Sequence, residues 1–439
     1  MKFRTTSMAG LLVVAGLGTA LLLVAFTGAK KQPAETMACA TPEKACVFKT
    51  MLGMEPYDTA LVTHNRTLLE SSINRGLVWM AQAQADNGGW GSGSHQRQDI
   101  RDPHAVHTDP ATTALVGMAL LRNGNTLTKG TYAANLKKAL NYLLNAVEST
   151  PDNAKYITQL TNTQPQTKLG RNIDAILTSQ FFTNMLHEMK KDDPLRPRIE
   201  KAMNKCVAKI QQAQDTDGGF KDGGWAPVLQ SALANNALES ARDAGGSVSD
   251  SAIVRSQAYQ KSNYDHKTNA AVTGKAAGVL LYSVSGSARG AAKDAQMAEA
   301  VVAEARKKGK VSNTAKVNRE TLEQAGLSKA EADKLATAYE IRTAASKRAQ
   351  DENVLKGFGN NGGEEFVSFL MTGESLIISG DNSWKNWFEK TTGRLMQIQT
   401  NDGSWQGHHC ITSPVFCTAT CLLILSIDKN IDFLVKMKP

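Results

Sequence analysis

Three of the chain's eight histidines fall in one short loop. His95, His104 and His107 stand with Asp99, Asp102 and Asp109 in "SHQRQDIRDPHAVHTD". Imidazole beside carboxylate is the pairing used by general acid–base catalysis and by zinc ions. A second group is His408 and Cys410 with Cys417 and Cys421. The last two stand at i and i+4, which puts both thiols on one face of a helix, and His408 and Cys410 would complete a tetrahedral zinc set. Each group also has a plainer reading. The loop can be a hydrated polar insertion, with Asp109 explained as a helix cap. The cysteines can be small apolar fillers of a buried helix. A disulfide is the third reading, with Cys410 as the better-placed partner, because thiols one turn apart in an intact helix bond poorly. No cofactor other than zinc is implied. There is no phosphate loop, nucleophile elbow or Ser-His-Asp order, and the glycine-rich "GFGNNGG" (357–363) follows no apolar strand and reads as a hinge.

The elements that must hold these residues repeat along the chain. Gln84–Trp90 ("QADNGGW"), Gln214–Phe220 ("QDTDGGF") and Gln399–Trp405 ("QTNDGSW") share one arrangement: an amide, then an acid or Asn, then glycine, then a large ring. Before each lies an amphipathic helical pattern: Ile73, Leu77, Met80; Ile199, Met203, Val207, Ile210; and Trp384, Trp387, Phe388, Leu395, Ile398. After each comes a proline-started segment rich in small and apolar residues: "PATTALVGMALL", "PVLQSALANNALES" and "PVFCTATCLLILSI". Proline suits the first helical position, and Asp109 and Ser413 suit the cap before it. The unit is therefore an outer helix, a tight turn and an inner helix. Glycine allows the left-handed turn, Asp or Asn bonds the nearby backbone, and the ring covers the turn. The six residues Gln84, Trp90, Gln214, Phe220, Gln399 and Trp405 read as structural staples.

Further helical segments lack the motif, among them the pattern of Leu136, Leu140, Leu143 and Val147, the pattern of Ile173, Ile176, Leu177, Phe181 and Met185, and the stretches 268–284 and 364–378. Together they give an all-α chain of about five to six helical hairpins, stacked openly or closed into a ring. Residues 286–355 are Ala-rich, strongly charged and poor in aromatics, and read as a charged helical insertion or a partner-binding arm.

The Gln-x-x-Asp-Gly-Ser-Trp spacing, with an amphipathic helix before and a proline-started helix after, resembles the QW repeat of squalene/hopene and terpene cyclases. Protein prenyltransferase β subunits share that architecture. "GRLMQIQTNDGSWQG" carries the likeness best, and it extends over roughly residues 71–285 and 356–439. The resemblance implies an α/α toroid, with inner helices around a central cavity. It does not carry a catalytic site across. The Asp-x-Asp-Asp acid of class II cyclases and the Asp-Asp-x-x-Asp/Glu of class I synthases are missing: Asp192-Asp193 runs into Pro194, and Asp99 and Asp102 are separated by Ile100-Arg101. The prenyltransferase zinc triplet of Asp, Cys and His has no residue-by-residue match. At 6% aromatic, the chain is also short of the rings that stabilise carbocations.

The chain has 439 residues, 41% hydrophobic and 21% charged, which is ordinary globular composition. Its net charge is +9, but many of the basic residues sit in one stretch, Lys293 to Lys356, rather than being laid out as an Arg-and-aromatic face, so no nucleic-acid partner is expected. Residues 8–29 carry no charge and are flanked by Lys2, Arg4, Lys30 and Lys31. That run is long enough for a membrane anchor, while Thr27-Gly28-Ala29 would serve a signal-peptide cleavage. Both readings mean export, either anchored and facing the periplasm or exterior, or secreted, and Cys39 and Cys46 could then close a small loop. The expected organisation is an anchor or signal (1–29), a linker (30–70), a first toroid part (71–285), the insertion (286–355) and a last toroid part (356–439). The expected function is a non-catalytic scaffold or binding module for a protein, glycan or lipid. The alternative is an enzyme, cyclase-like or polysaccharide-active, with an atypical site in the cavity.

Overall fold

Apolar side chains at helical spacing, interrupted by glycine turns, leave this chain little to form but helices. The structure, a computed structural model, describes residues 66–220, 222, 224–265, 267–268, 270–271, 279–355, 362–378, 383–430 and 434. The expected anchor or signal (1–29), Cys39, Cys46 and all but the last residues of the expected linker lie outside that range. No helix among the described residues is long and apolar enough to cross a membrane.

The described residues are all-α. In chain order the helices are α1 (Arg66–Gln82), α2 (Pro110–Arg122), α3 (Ala133–Glu148), α4 (Gln164–Leu169), α5 (Ile173–Glu188), α6 (Arg196–Ala213), α7 (Pro227–Asp243) and α8 (Asp250–Ser262). There follow α9 (Leu280–Lys307), α10 (Arg319–Ala325), α11 (Lys329–Ala349), α12 (Glu352–Leu355), α13 (Gly363–Ile378), α14 (Trp384–Gln397) and α15 (Pro414–Leu425). Extended pairing among these residues is confined to Tyr264–Asp265 against Ala270–Ala271 and two single bridges.

Two kinds of long helix alternate. Helices α2, α5, α7, α13 and α15 are buried along most of their length, as is the first half of α9 (Leu281–Ala295). These inner helices pack in sequence: α2 on α5, α5 on α7, α7 on α9, α9 on α13, α13 on α15, and α15 on α2. Helices α1, α3, α6, α8, α11 and α14 keep one side wet. Each lies against the inner helix before it: α3 on α2, α6 on α5, α8 on α7, α11 on α9, α14 on α13, and α1 on α15. The helices flanking a staple turn are thus consecutive in the chain, but the broadest contact of each outer helix is with the preceding inner one.

The staples explain that offset. In each copy the Gln amide donates both to its own turn and to the next outer helix. Gln84 Nε2 reaches Gly88 O (2.8 Å) and Asn135 O (3.0 Å), and Gln214 Nε2 reaches Gly218 O (3.5 Å) and Ala252 O (2.9 Å). Gln399 Nε2 reaches Gly403 O (2.8 Å) and Ser72 O (3.0 Å), joining the last turn of the chain to α1. The indoles of Trp90 and Trp405 donate to Met80 O (2.9 Å) and Leu395 O (2.8 Å), carbonyls in the last turns of α1 and α14. Asn87, Asp217 and Asp402 each accept from the backbone N–H two residues on, at 3.0, 2.9 and 3.0 Å. The following glycines have φ of 85°, 88° and 95°. A Cβ at Gly218 or Gly403 would stand 2.0 Å from Arg255 O or 2.7 Å from Arg75 O, so glycine also sets how close the next outer helix can lie.

The alanine-rich stretch is less separate than its composition suggested. Helix α9 runs unbroken through residue 286, and the part up to Ala295 belongs to the core. The inner helix expected over 268–284 begins only at Leu280. Alanine looks neutral in a hydropathy pattern, yet its small side chain lets α11 lie closely along α9. Ala298, Val302, Leu322, Ala332, Leu335 and Ala336 form a small second core there.

Candidate functional site

The first turns of α9, α13 and α15 meet at one end of the inner helices and bring polar side chains with them. Glu364 and Glu365 open α13, where the helix dipole favours negative charge. Tyr282 lies in the first turn of α9, and His409-Cys410 precede α15. Lys168 arrives on α4, which Thr163 and Gln166 cap reciprocally and Gly170, at φ 88°, ends. The backbone of Lys168 accepts from Ala226 N (2.9 Å) and that of Thr167 from Trp225 N (3.2 Å), so α4 also fixes Trp225.

Lys168 Nζ stands 3.1 Å from Glu364 Oε1, and neither side chain exceeds 1% exposure. The ammonium also donates to Cys410 Sγ at 3.7 Å, and His409 Nδ1 lies 3.0 Å from the same sulfur. Tyr282 OH donates to Glu365 Oε1 and stands 3.4 Å from Glu364 Oε1, while Gly362 N donates to Glu365 Oε2 (2.9 Å). Cys410 has φ of 60°, a backbone region that costs a side chain about 1–3 kcal/mol.

Burial governs the protonation of this cluster. Desolvation, with Glu364 alongside, holds the Glu365 carboxyl well above its usual range. The Tyr282 phenol is raised for the same reasons, burial first and Glu365 second. Burial and Glu364 push the Cys410 thiol up to about 12, so it is no ready nucleophile. Burial lowers the His409 imidazole. It would lower Lys168 too, but Glu364, Cys410 and Glu365 outweigh it and hold the ammonium above its ordinary value.

Over this cluster lies the long first loop. His95 N donates to Asn162 O (2.9 Å), Gln164 N to Gly93 O (3.0 Å) and Thr412 Oγ1 to Gln98 O (2.8 Å). Arg101 donates to Thr412 O. The His95 ring meets Trp225 edge-on at 5.2 Å, and the Trp225 ring centre is 6.0 Å from Lys168 Nζ. Trp225 is 57% exposed, so one indole spans from solvent to the buried ammonium.

The remaining loop candidates do not converge. Asp99 pairs with Arg97 at 2.9 Å, whose hydrogen bond holds it down at about 2. Asp102 caps the short turn that follows, accepting from His104 N at 2.9 Å, and His104 and His107 are exposed. Asp109 caps α2 through Thr112 N (2.7 Å) and also takes Ser92 N (2.9 Å). Beside it Asp174 accepts from Ala111 N (3.0 Å) and Gln166 Nε2 (2.7 Å). Burial raises these two carboxyls to about 6 and about 7.

Of the four sequence candidates for a metal, only Cys410 falls in a group of possible donors among the described residues. Its companions there are His409, not His408, and Glu364, with all donor atoms within 4.8 Å. Cys417 and Cys421 are fully buried thiols along α15, the first pointing at Ile411 O (3.8 Å), and Cys206, Cys410, Cys417 and Cys421 are all free. Lys168, Glu364, Glu365 and Tyr282 were not singled out from sequence. Two acids opening the apolar segment "EEFVSFLMTGESLII" were the available signal, whereas nothing around Lys168 gave one.

Between the inner helices is a narrow cavity of about 70 Å³, walled by Leu115, Leu177, Leu233, Leu370 and Phe416, and a more open space of about 420 Å³ adjoins it at Met118, Arg122 and Asn184. Toward the opposite end Glu374 lies between Arg122 (3.3 Å) and Arg289 (3.4 Å), and Arg122 also donates to Leu423 O (3.0 Å).

In comparisons with family models, characterised proteins and solved structures, the chain matches none. Its function must be read from the geometry.

Proposed function

We propose that this chain is an exported α/α toroid of the QW-repeat type that works as a binding module and not as a cyclase. Residues 8–29 would hold it to a membrane, or release it when cleaved. The packing order of the inner helices and the link from Gln399 to α1 support a closed ring. Three turns with one set of amide bonds, two of them with the same indole bond as well, support the repeat family.

The observation that carries the non-catalytic reading is the central space. Pockets for small ligands run to about 300–1,000 Å³, against about 70 Å³ here. An isoprenoid would have to displace apolar side chains and the Arg122–Glu374–Arg289 ion pairs. The exposed Trp225 and its partner His95 offer a more accessible contact for a protein, glycan or lipid. The test is to incubate purified full-length protein with squalene and with farnesyl diphosphate and to analyse the extracts by mass spectrometry. No product is expected. Cyclised or transferred isoprenoid, absent from a heat-denatured control, would overturn the reading in favour of an enzyme with an atypical site. One observation points toward that second reading: the buried Lys168–Glu364–His409–Cys410 cluster.

A further inference from the structure

A buried carboxylate needs a cation, and Lys168 supplies one to Glu364. An ion pair of that kind has no use for a thiol or an imidazole. Yet His409 and Cys410 are brought to the same point, the latter in a strained backbone conformation, and both lie within 4.8 Å of the Glu364 oxygen. The second carboxylate oxygen, Glu364 Oε2, is buried and has no hydrogen-bond partner among the described residues. Carboxylate, imidazole and thiolate are the three donor types of zinc sites, where bond lengths of about 2.0–2.3 Å put neighbouring donors roughly 3–4 Å apart. His409 Nδ1 and Cys410 Sγ, at 3.0 Å, already approach that spacing, so small rotations would suffice.

We infer that Glu364, His409 and Cys410 form a site for a divalent ion of the zinc class, and that the Lys168 ammonium takes the place of that ion when it is absent. The ammonium is a compact positive charge that touches two of the three donors, at 3.1 and 3.7 Å. It also has somewhere to go. The Tyr282 and Trp225 rings lie 5.2 and 6.0 Å from Nζ, and ring faces hold an ammonium well. Entry of the ion would move Lys168 toward Trp225, leaving three protein ligands and one open position. The assignment is independent of whether the ring is a binding module, and it holds for an enzyme equally.

The experiment uses full-length protein purified with chelator and reductant, then titrated with Co²⁺ as a spectroscopic stand-in for Zn²⁺. The expected result is one equivalent bound, with a thiolate-to-cobalt charge-transfer band and tetrahedral d–d bands, both removed by added Zn²⁺. Cys410→Ser abolishes the charge-transfer band, and Glu364→Gln weakens binding at least tenfold. Lys168→Met tightens binding at least tenfold, and Zn²⁺ raises its Tm more than that of wild type. Should Lys168→Met fail to fold, Lys168→Gln serves, with circular dichroism confirming the fold. Two results overturn the inference: no cobalt spectrum in folded wild type and folded Lys168 variant alike, or a spectrum that survives Cys410→Ser unchanged, which would put the ion elsewhere.

Discussion

Lys168 Nζ and Glu364 Oε1 lie 3.1 Å apart, and the side chains are 1% and 0% exposed. Removing one member of such a pair strands the other as an uncompensated buried charge, at a cost of about 3–5 kcal/mol. In metal-free buffer Lys168→Met should therefore cost about that much by urea denaturation. The double variant Lys168→Met/Glu364→Leu should recover most of the loss. Equal losses in single and double variants would show that packing, not charge, holds this end of the helices together.

Gln399 joins the final turn to α1 through bonds to Gly403 O and Ser72 O, and its Oε1 accepts from Ser72 Oγ at 2.8 Å. Gln399→Ala should cost about 1–3 kcal/mol, because it leaves partly buried polar groups unpaired. Gly403→Ala should cost about as much, through its positive φ and the approach to Arg75 O. Denaturation midpoints test both, and a combined loss below about 0.5 kcal/mol, the range of surface changes, would remove the staple's structural role.

The turns and helices were legible because each is a local pattern. Glutamine, acid, glycine and ring stand within seven positions, and a stripe such as Ile199, Met203, Val207 and Ile210 repeats at helical spacing. All four are buried on α6. The alanine-rich stretch misled because alanine gives no hydropathy contrast, although Ala288, Ala291, Ala292 and Ala295 are fully buried. The cluster was legible only at Cys410. Apart from His409 beside it, the other members come from α4, α9 and α13, segments far apart in the chain that only the packing of the inner helices brings together. The loop histidines were conspicuous by number, but His104 and His107 face solvent. Histidine density in a sequence does not report where the rings point.

Asp109 and Asp174 predict a pH dependence of stability. Unfolded, both titrate near 3.8, whereas burial raises them to about 6 and about 7 in the folded protein. Between about pH 4 and pH 7 the folded state therefore keeps protons that the unfolded chain has released. Their contribution is fully present below pH ~4 and is lost as pH rises through the folded values. Asp174→Asn removes much of this slope while leaving an amide oxygen to accept from Ala111 N. Melting wild type and Asp174→Asn at intervals from pH 4 to 8 gives the difference directly. The wild type should lose ground to the variant across that window, and a gap that stays constant or changes in the other direction would show that these carboxyls are ionised when folded.

Trp225 makes the last prediction, because exposure and position separate its two roles. At 57% exposed it contributes little to the core, so Trp225→Ala should change stability by no more than about 0.5 kcal/mol. Yet it is tied by backbone bonds to α4, with its ring between His95 and the Lys168 ammonium. Beyond that ammonium lies Cys410, 7% exposed, with a thiol that burial holds at about 12 and so reacts slowly. Removing the indole opens a path for water, which eases the thiol toward its ordinary value and admits reagents. The rate of iodoacetamide labelling at Cys410, read by peptide mass spectrometry under native conditions, should rise severalfold in Trp225→Ala, with Cys417 and Cys421 unlabelled as internal controls. An unchanged rate at Cys410 would mean that the loop from Ser94 to Asp109, and not the indole, seals the cluster. Faster labelling at all three cysteines would point instead to general loosening of the inner helices.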